Sequence, residues 1–321
     1  MNIISKTRTN RQVKPIPLQY LYDTFKRAKS GSSNGEIHKV IKCGWPVQLG
    51  VLADPFPPIE RLYRNTLHFM RFVSGQDYPM MILTKSNMIL EPEYFDLLND
   101  DIQIIISIPF TSKLSKKLES GVPSPKRRLQ VLKELVDNNI KCTLRVWPLL
   151  AGLNDEVGGV IFKALDIGVP DIQASYGHVY GNKKYLDNLN SGLGFDYLEY
   201  CVDNNITMIY EKKYYMPQDN YRIKKLREFK DVIEPVANFY TPNSPVLNGW
   251  MSCCGEQLNN YNSDALKCKG YLLGDGIGCE DYIGVNNPFK KVFEKEFKAG
   301  KFTKFFSDIK YNKELEIYER C

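Results

Sequence analysis

The sequence predicts an α/β fold, a partial (β/α) barrel with a small Cys-rich lobe towards its C-terminal end. Between residues 47 and 155, short apolar runs that end in polar residues alternate with helical patterns. The spacing leaves room for one helix between each pair of runs, which is typical of parallel strands joined by crossover helices. Because the runs do not alternate cleanly between polar and apolar residues, we expect the sheet to be covered on both faces.

The apolar runs define the predicted elements and regions. Strands are predicted at residues 47–53, 80–84, 102–108, 141–147 and 171–175, with a sixth at 207–211. Helices are predicted between them, one of them starting at Ser124-Pro125, and a later helix is predicted at 192–204. No complete first strand is recognisable before residue 46. We therefore divide the chain into a helical periphery at 1–45, a partial barrel at 46–240 and a Cys-rich segment with a helical tail at 241–321.

Composition excludes some classes of protein and leaves others open. The chain has 321 residues, of which 43% are hydrophobic, and its formal net charge is +6. No apolar run is long enough for a membrane span, and the N-terminal residues lack a signal-peptide pattern, so a cytoplasmic protein is expected. The scattered Lys and Arg residues have two interpretations, an ordinary solvated face or a surface that contacts nucleic acid.

Four of the eight cysteines are clustered near the C-terminal end of the sequence. Cys253, Cys254, Cys268 and Cys279 lie in a glycine-rich stretch, and four thiolates suit tetrahedral zinc or an iron–sulfur cluster. Since the paired Cys-x2-Cys knuckles of a zinc ribbon are absent, chance clustering in a small lobe remains an alternative. Cys142 lies in an apolar strand and is interpreted as a small buried side chain.

Polar residues close several predicted strands, where the loops of a β/α barrel surround a shared mouth. Asp54-Pro55 follows the first run, Lys85-Ser86 closes the second, Ser107 closes the third and Arg145 lies near the end of the fourth. In order, these motifs resemble the spore-photoproduct-lyase-like, or DNA-repair-photolyase-like, branch of the radical SAM enzymes. The resemblance covers roughly residues 46–180.

The resemblance implies specific roles for these residues. Ser107 and Arg145 match positions that hold the ribose and the methionine carboxylate of S-adenosylmethionine (SAM), a pairing that suits a hydroxyl and a guanidinium fork. Asp54 and Pro55 match the stretch that meets the methionine amine, although they also suit a turn. A structural bridge from Arg145 to an acid such as Glu119 is the alternative for that arginine.

The remaining matched residues have less specific expectations. Lys85 and Ser86 face the same mouth and are expected to contact the cofactor or the substrate. Gln173, at the end of the next strand, is a candidate for the adenine edge. Glu119 and Arg128 also match the pattern, and a structural role in ordering the loop across the mouth is favoured for them.

One family signature is missing, the Cys-x3-Cys-x2-Cys loop that holds the [4Fe-4S] cluster. The first interpretation is a radical SAM enzyme, split or truncated, acting on a substrate such as nucleic acid. It would need an external electron donor and a companion polypeptide that supplies the cluster loop. The second is a catalytically degenerate barrel that serves as a binding or scaffold subunit with a C-terminal zinc site. The third is a metal-independent barrel enzyme acting on a phosphorylated metabolite.

Overall fold

The computed structural model describes residues 18–32, 38, 41–42, 46–50, 53–211, 213–241, 309–312 and 317–320. These residues fall into two compact units. The first contains 47–50, 53–59, 80–211 and 213–241, and the second contains the remaining described residues, chiefly 18–32, 60–79 and the two short strands after residue 308. The domain boundaries predicted at 45/46 and 240/241 stay a prediction.

The strands of the described residues are numbered in chain order. They are β1 (Val47–Leu49), β2 (Met80–Thr84), β3 (Ile102–Ser107), β4 (Cys142–Leu149), β5 (Asp171–Tyr176), β6 (Val179–Tyr180), β7 (Met208–Glu211), β8 (Tyr214–Pro217), β9 (Asn238–Tyr240), β10 (Ile309–Asn312) and β11 (Ile317–Arg320).

The helices of the described residues follow the same convention. They are α1 (Leu18–Ser30), α2 (Glu60–Tyr63), α3 (Asn65–Ser74), α4 (Pro92–Phe95), α5 (Ser112–Leu118), α6 (Pro125–Asp137), α7 (Asn154–Ile167), α8 (Lys183–Leu193), α9 (Tyr197–Asp203) and α10 (Asp219–Ile233). None of them is long and apolar enough to cross a membrane.

A parallel sheet forms the centre of the first unit and confirms the predicted fold class. Six strands pair in the order β1-β2-β3-β4-β5-β9, and every pair is parallel. Within this unit, α6 contacts β3 and β4, α7 contacts β4, and α10 contacts β5 and β9. Strand, helix and strand therefore succeed one another around the sheet, as in a partial β/α barrel.

The sixth parallel strand was predicted wrongly at 207–211. Residues 208–211 form β7, which pairs antiparallel with β8 in a separate three-stranded sheet of order β6-β8-β7. The sixth parallel strand is β9, which lies beside β5. The Asn238 side-chain amide donates to Asp171 Oδ1 at 2.9 Å, and Phe239 is buried. These contacts select β9 although its three residues give almost no periodic signal.

The predicted helix at 192–204 is divided in two. Gly194 adopts a left-handed backbone with a φ of 86° and ends α8. The Asp196 carboxylate then accepts from the backbone N–H groups of Leu198 and Glu199 and starts α9. A glycine C-cap followed by an aspartate N-cap is a common way to end one helix and begin the next.

The two faces of the parallel sheet differ in polarity. One face carries Ile104, Ile106, Leu144, Val146 and Ile172, all fully buried. The other face carries polar side chains at alternate positions, namely Gln103, Ser107, Thr143, Arg145, Asp171, Gln173 and Ser175. Because β3 and β5 are buried at every position, the sheet is covered on both faces as expected, and the polar groups form a layer within the unit.

Polar groups on this face interact across the strands. Gln103 Nε2 donates to Thr143 Oγ1 at 2.8 Å. Burial raises the pKa of Asp171 above its usual value, although hydrogen bonds from Asn238 and Tyr240 oppose this effect.

The Cys142 thiol pairs in register with Ile104 on the apolar face. Burial, together with the charge of Asp171, raises the pKa of this thiol to about 12. Cys142 is therefore a protonated buried side chain and not a reactive thiolate.

The second unit has an aromatic core of its own. Phe25 on α1 packs edge-on against Phe72 and Tyr78, with ring centroids 5.6 and 5.1 Å apart. The Tyr78 hydroxyl donates to the Ile41 carbonyl at 3.2 Å. Buried Glu60 accepts from the Leu67 backbone N–H at 3.0 Å and so links α2 to α3. The strands β10 and β11 pair antiparallel.

Candidate functional site at the carboxyl edge of the parallel sheet

Three of the predicted binding residues lie in one register row of the sheet. The row is at the carboxyl end of β3 but in the middle of β4 and β5, so the prediction that Gln173 ends its strand was wrong. Ser107 on β3 pairs with Arg145 on β4, and Arg145 pairs with Gln173 on β5. Tyr240 on β9 continues the row beside Gln173. Since neighbouring strands are about 4.8 Å apart and paired residues share a face, these side chains lie next to one another on the polar face.

Lys85 extends this row at the β2 end. The last paired residue of β2 is Thr84, which is level with Ile106, so Lys85 follows at the level of Ser107. We call Lys85, Ser107, Arg145 and Gln173 the edge row. It combines two cationic groups, a hydroxyl and a carboxamide along one line of the sheet.

Arg145 is held against an aromatic ring on its own strand. Its guanidinium carbon lies 4.2 Å from the ring centroid of Trp147, the next residue on the same face. A guanidinium over an indole ring is a favourable cation–π pair. Trp147 therefore restricts the guanidinium to one region of the polar face, an arrangement that sequence reasoning missed.

A buried ionic cluster lies beside the edge row. Glu119 pairs with Lys85 through Oε1 and with Arg128 through Oε2, the latter at 2.6 Å. Arg128, fully buried on α6, also donates to the Ser107 carbonyl at 2.6 Å and to Ser115 Oγ at 3.1 Å. We call Lys85, Glu119 and Arg128 the charge cluster. It ties α5 and α6 to the ends of β2 and β3, which agrees with the structural role predicted for Glu119 and Arg128.

The charges of the cluster depend on one another. Burial lowers the pKa of Lys85 below its usual value, and the Glu119 carboxylate opposes that effect. For Glu119, burial would raise the pKa, but the positive charges of Lys85 and Arg128 outweigh burial and hold it below its usual value. Glu119 is therefore ionised at neutral pH and compensates the fully buried guanidinium.

Asp54 connects the loop after β1 to the end of β2. Its Oδ1 accepts from the Phe56 N–H at 3.0 Å and from Thr84 Oγ1 at 2.8 Å, and its Oδ2 accepts from the Lys85 N–H at 2.7 Å. The bond to Phe56, two residues ahead, is that of an Asx turn. Since a carboxylate has about four acceptor positions, these three bonds leave room for a further donor.

Ser86 has a local structural contact of its own. Its Oγ accepts from the Met88 N–H at 3.1 Å at the start of the short 3₁₀ turn Met88–Leu90, and its N–H donates to Thr84 Oγ1 at 2.9 Å. Pro55 is partly buried beside Asp54. The predicted cofactor contacts of Asp54, Pro55 and Ser86 stay predictions, as do those of the edge row.

The predicted metal ligands Cys253, Cys254, Cys268 and Cys279 lie outside the described residues. Within the described ranges, no three His, Cys, Asp or Glu side chains are grouped so that they could hold a metal ion. The two free cysteines among those residues, Cys142 and Cys201, are buried.

Fold and site together define a partial parallel β/α barrel with a polar site at its carboxyl edge. No protein-family model matches the chain. The uncharacterized protein MJ0683 of Methanocaldococcus jannaschii is 26% identical over 110 residues, which are 34% of this chain and 42% of that protein. The chain thus spans less than half of this relative.

Two solved structures match parts of this chain. SuiB of Streptococcus suis bound to S-adenosylmethionine matches with a TM-score of 0.46 and 15% identity, over 74% of this chain and 46% of SuiB. Spore photoproduct lyase complexed with dinucleoside spore photoproduct matches with a TM-score of 0.47 and 14% identity, over 68% of this chain and 64% of that enzyme.

Proposed function

We propose that the chain binds S-adenosylmethionine along the edge row and takes part in radical SAM chemistry. The observation that carries this proposal is the register row, which brings Ser107, Arg145 and Gln173 side by side on one polar face. The three residues are widely separated in the sequence, and the parallel register brings them together. Parallel β/α proteins bind ligands at this edge of the sheet.

The edge row suits the polar groups of SAM. The Arg145 guanidinium offers paired donors to the methionine carboxylate, the Ser107 hydroxyl suits a ribose hydroxyl, and the Gln173 carboxamide suits the adenine edge. The remaining acceptor position of Asp54 suits the methionine ammonium. Lys85 offers a second positive charge, balanced by Glu119 until a ligand carboxylate approaches. In this account the chain orients the cofactor and shields it from water.

The iron–sulfur cluster has no ligand set among the described residues. In radical SAM chemistry such a cluster supplies the electron that cleaves the sulfonium, and an external donor replenishes it. We propose Cys253, Cys254, Cys268 and Cys279 as ligands of zinc or of an auxiliary iron–sulfur cluster. We assign the SAM-cleaving [4Fe-4S] cluster to a companion polypeptide that carries the missing cysteine loop. A nucleic acid is the proposed substrate.

A second candidate function is a binding or scaffold subunit without radical chemistry. The charge cluster favours it, because Glu119 and Arg128 use their side chains to order the edge of the sheet. Under this account the C-terminal cysteines hold zinc. A barrel enzyme acting on a phosphorylated metabolite, the third interpretation, would bind its phosphate and not SAM at Lys85 and Arg145.

Iron and sulfide at the C-terminal cysteines would favour the first candidate over the second, whereas zinc there fits both. We expect anaerobically purified and reconstituted protein to contain iron and acid-labile sulfide that a variant with Cys253, Cys254, Cys268 and Cys279 changed to alanine loses. A variant with Cys142 changed to alanine is the control, because that thiol is buried and protonated. Zinc alone, or no metal, would contradict independent radical chemistry, and 5′-deoxyadenosine formation would then be sought with the companion present.

A further inference from the structure

The small antiparallel sheet between β5 and β9 carries a continuous row of aromatic rings. Tyr185 on α8 contacts Tyr180 on β6 with ring centroids 5.2 Å apart, Tyr180 contacts Tyr214 on β8 at 4.8 Å, and Tyr214 contacts His178 at 4.9 Å. Such distances are those of favourable aromatic pairs. Tyr185 is buried, so the row is anchored at one end in the body of the unit.

The middle of this row is open to solvent. Tyr180 and Tyr214 pair in register and share a face of the small sheet, and Tyr180 is 46% exposed. Ile209 and Met216 pair on the same face, and Ile209 is 44% exposed. We call the surface formed by His178, Tyr180, Tyr214, Ile209 and Met216 the aromatic face. Exposed rings on this face offer flat surfaces on which a base can stack.

Positive charges border the aromatic face at one end. The Gly181 N–H donates to the Lys213 carbonyl at 2.9 Å, which brings the loop after β6 next to the turn between β7 and β8. Lys213 lies in that turn, and Lys183 and Lys184 begin α8 just beyond Gly181; all three are exposed. Glu211 is the acidic residue in register with Tyr214, and it lies on the opposite edge strand, β7. The part of the aromatic face next to β6 therefore consists of aromatic rings, and lysines lie where β6 ends.

We propose that the aromatic face binds single-stranded nucleic acid, with bases stacked on Tyr180 and Tyr214 and the backbone phosphates near Lys183 and Lys184. Exposed rings on a sheet beside a positive border are the two elements that single-strand binding surfaces combine. Among the described strand residues of this face, Glu211 is the one acid, and it lies away from the β6 side. A strand bound by stacking therefore fits the face better than a peptide.

This inference deepens the proposed function, because it names the substrate class as a single-stranded or locally unpaired nucleic acid. It rests on the proposed function only for the chemistry that would follow binding of the nucleic acid. The aromatic face and its lysines are complete in the described residues without SAM or a metal. Binding of the strand is accordingly measured with protein that contains neither, so that its outcome is independent of SAM binding.

Fluorescence anisotropy of a labelled oligothymidylate of about 12 nucleotides tests the inference, since the length is within the range that such surfaces occupy. We expect saturable binding to the full chain. Tyr214→Ala and Tyr180→Ala should each weaken it about tenfold or more, the effect of removing one stacked base. Tyr214→Phe should bind as the wild type does. Lys183→Gln with Lys184→Gln should lower the slope of affinity against salt by about 1.4.

Tyr210→Ala is the matched control, because Tyr210 is a 57% exposed tyrosine on the opposite face of the same sheet. We expect its affinity to equal that of the wild type, and circular dichroism to show all variants folded. Failure of the wild type to bind would overturn the inference. Equal losses for Tyr210→Ala and Tyr214→Ala, or binding that responds to the lysines alone, would overturn it as well.

Discussion

Changing Glu119 to glutamine should destabilise the first unit by about 3 kcal/mol, because it leaves a fully buried guanidinium without its opposite charge. The Glu119 side chain is 3% exposed and Arg128 is not exposed at all, so water cannot replace the lost partner. The amide would also lose the ion pair with Lys85. A urea titration followed by far-ultraviolet circular dichroism, together with protease sensitivity of the first unit, measures the change.

Asp137→Asn is the matched control for this prediction. It removes an ion pair with Lys133 whose side chains are 58% and 49% exposed, and such pairs contribute less than about 1 kcal/mol. We also expect Glu119→Gln combined with Arg128→Met to cost less than the sum of the single changes, since the double variant leaves no buried guanidinium unpaired, although Lys85 still loses its partner. An effect of Glu119→Gln no larger than that of Asp137→Asn would contradict the proposed role of the charge cluster.

Lowering the pH should remove the difference in folding stability between the wild type and Glu119→Gln. The pKa of Glu119 in the folded chain lies below the usual value, so the unfolded chain takes up the proton first as the pH falls. The stability that the carboxylate contributes is therefore fully present above about pH 4.3, the ordinary pKa of glutamate, and is lost as the pH falls through the lower folded value. The two proteins should converge in stability over that acidic range and differ most at neutral pH.

Changing Arg145 to alanine should weaken SAM binding about 10- to 150-fold, the range expected when hydrogen bonds to a charged group are lost. Arg145→Lys should lie between the alanine variant and the wild type, because lysine keeps the charge but not the paired donors. Equilibrium dialysis with radiolabelled SAM measures the affinity, and S-adenosylhomocysteine as competitor reports whether the sulfonium charge matters.

Arg127→Ala is the control for Arg145, since the Arg127 side chain is exposed on α6 and donates to Gln130. Its affinity for SAM should equal that of the wild type. Circular dichroism of Arg145→Ala is required as well, because the variant also loses the contact with Trp147. Unchanged SAM affinity in a folded Arg145→Ala protein would contradict the assignment of the edge row.

The sequence predicted the strands that are apolar and buried. Runs such as residues 102–108 and 171–175 appear as β3 and β5 with shifts of one residue at their ends. It failed for β9, whose three residues become a strand through Asn238 and Asp171, 67 positions apart. It also failed for β7, where Lys213, with a φ of 79°, turns the chain back into β8. Tertiary partners decided both cases, and no local pattern specifies them.

The candidate site was predicted residue by residue but not as an arrangement. The family resemblance and the expected strand ends identified Ser107, Arg145 and Gln173. The parallel register aligns them, although Arg145 and Gln173 lie in the middle of β4 and β5. The polar face could have been predicted from polar residues that share a face of their strand, Gln103 with Ser107 and Thr143 with Arg145. Isoleucine at 105, on the same face of β3, weakens that pattern. The Lys85 to Glu119 pair bridges 34 positions and depends on where α5 lies, which no spacing rule reveals.

Hydrogen–deuterium exchange with and without SAM tests the central claim most directly, because it reports both whether SAM binds and where. We expect SAM to slow exchange in the loops that follow β2, β3, β4 and β5, at residues 85–87, 108–111, 150–153 and 177–178. The second unit, at residues 18–32 and 60–79, should exchange as before. Protection confined to other segments, or none at saturating SAM, would contradict a SAM site on the edge row.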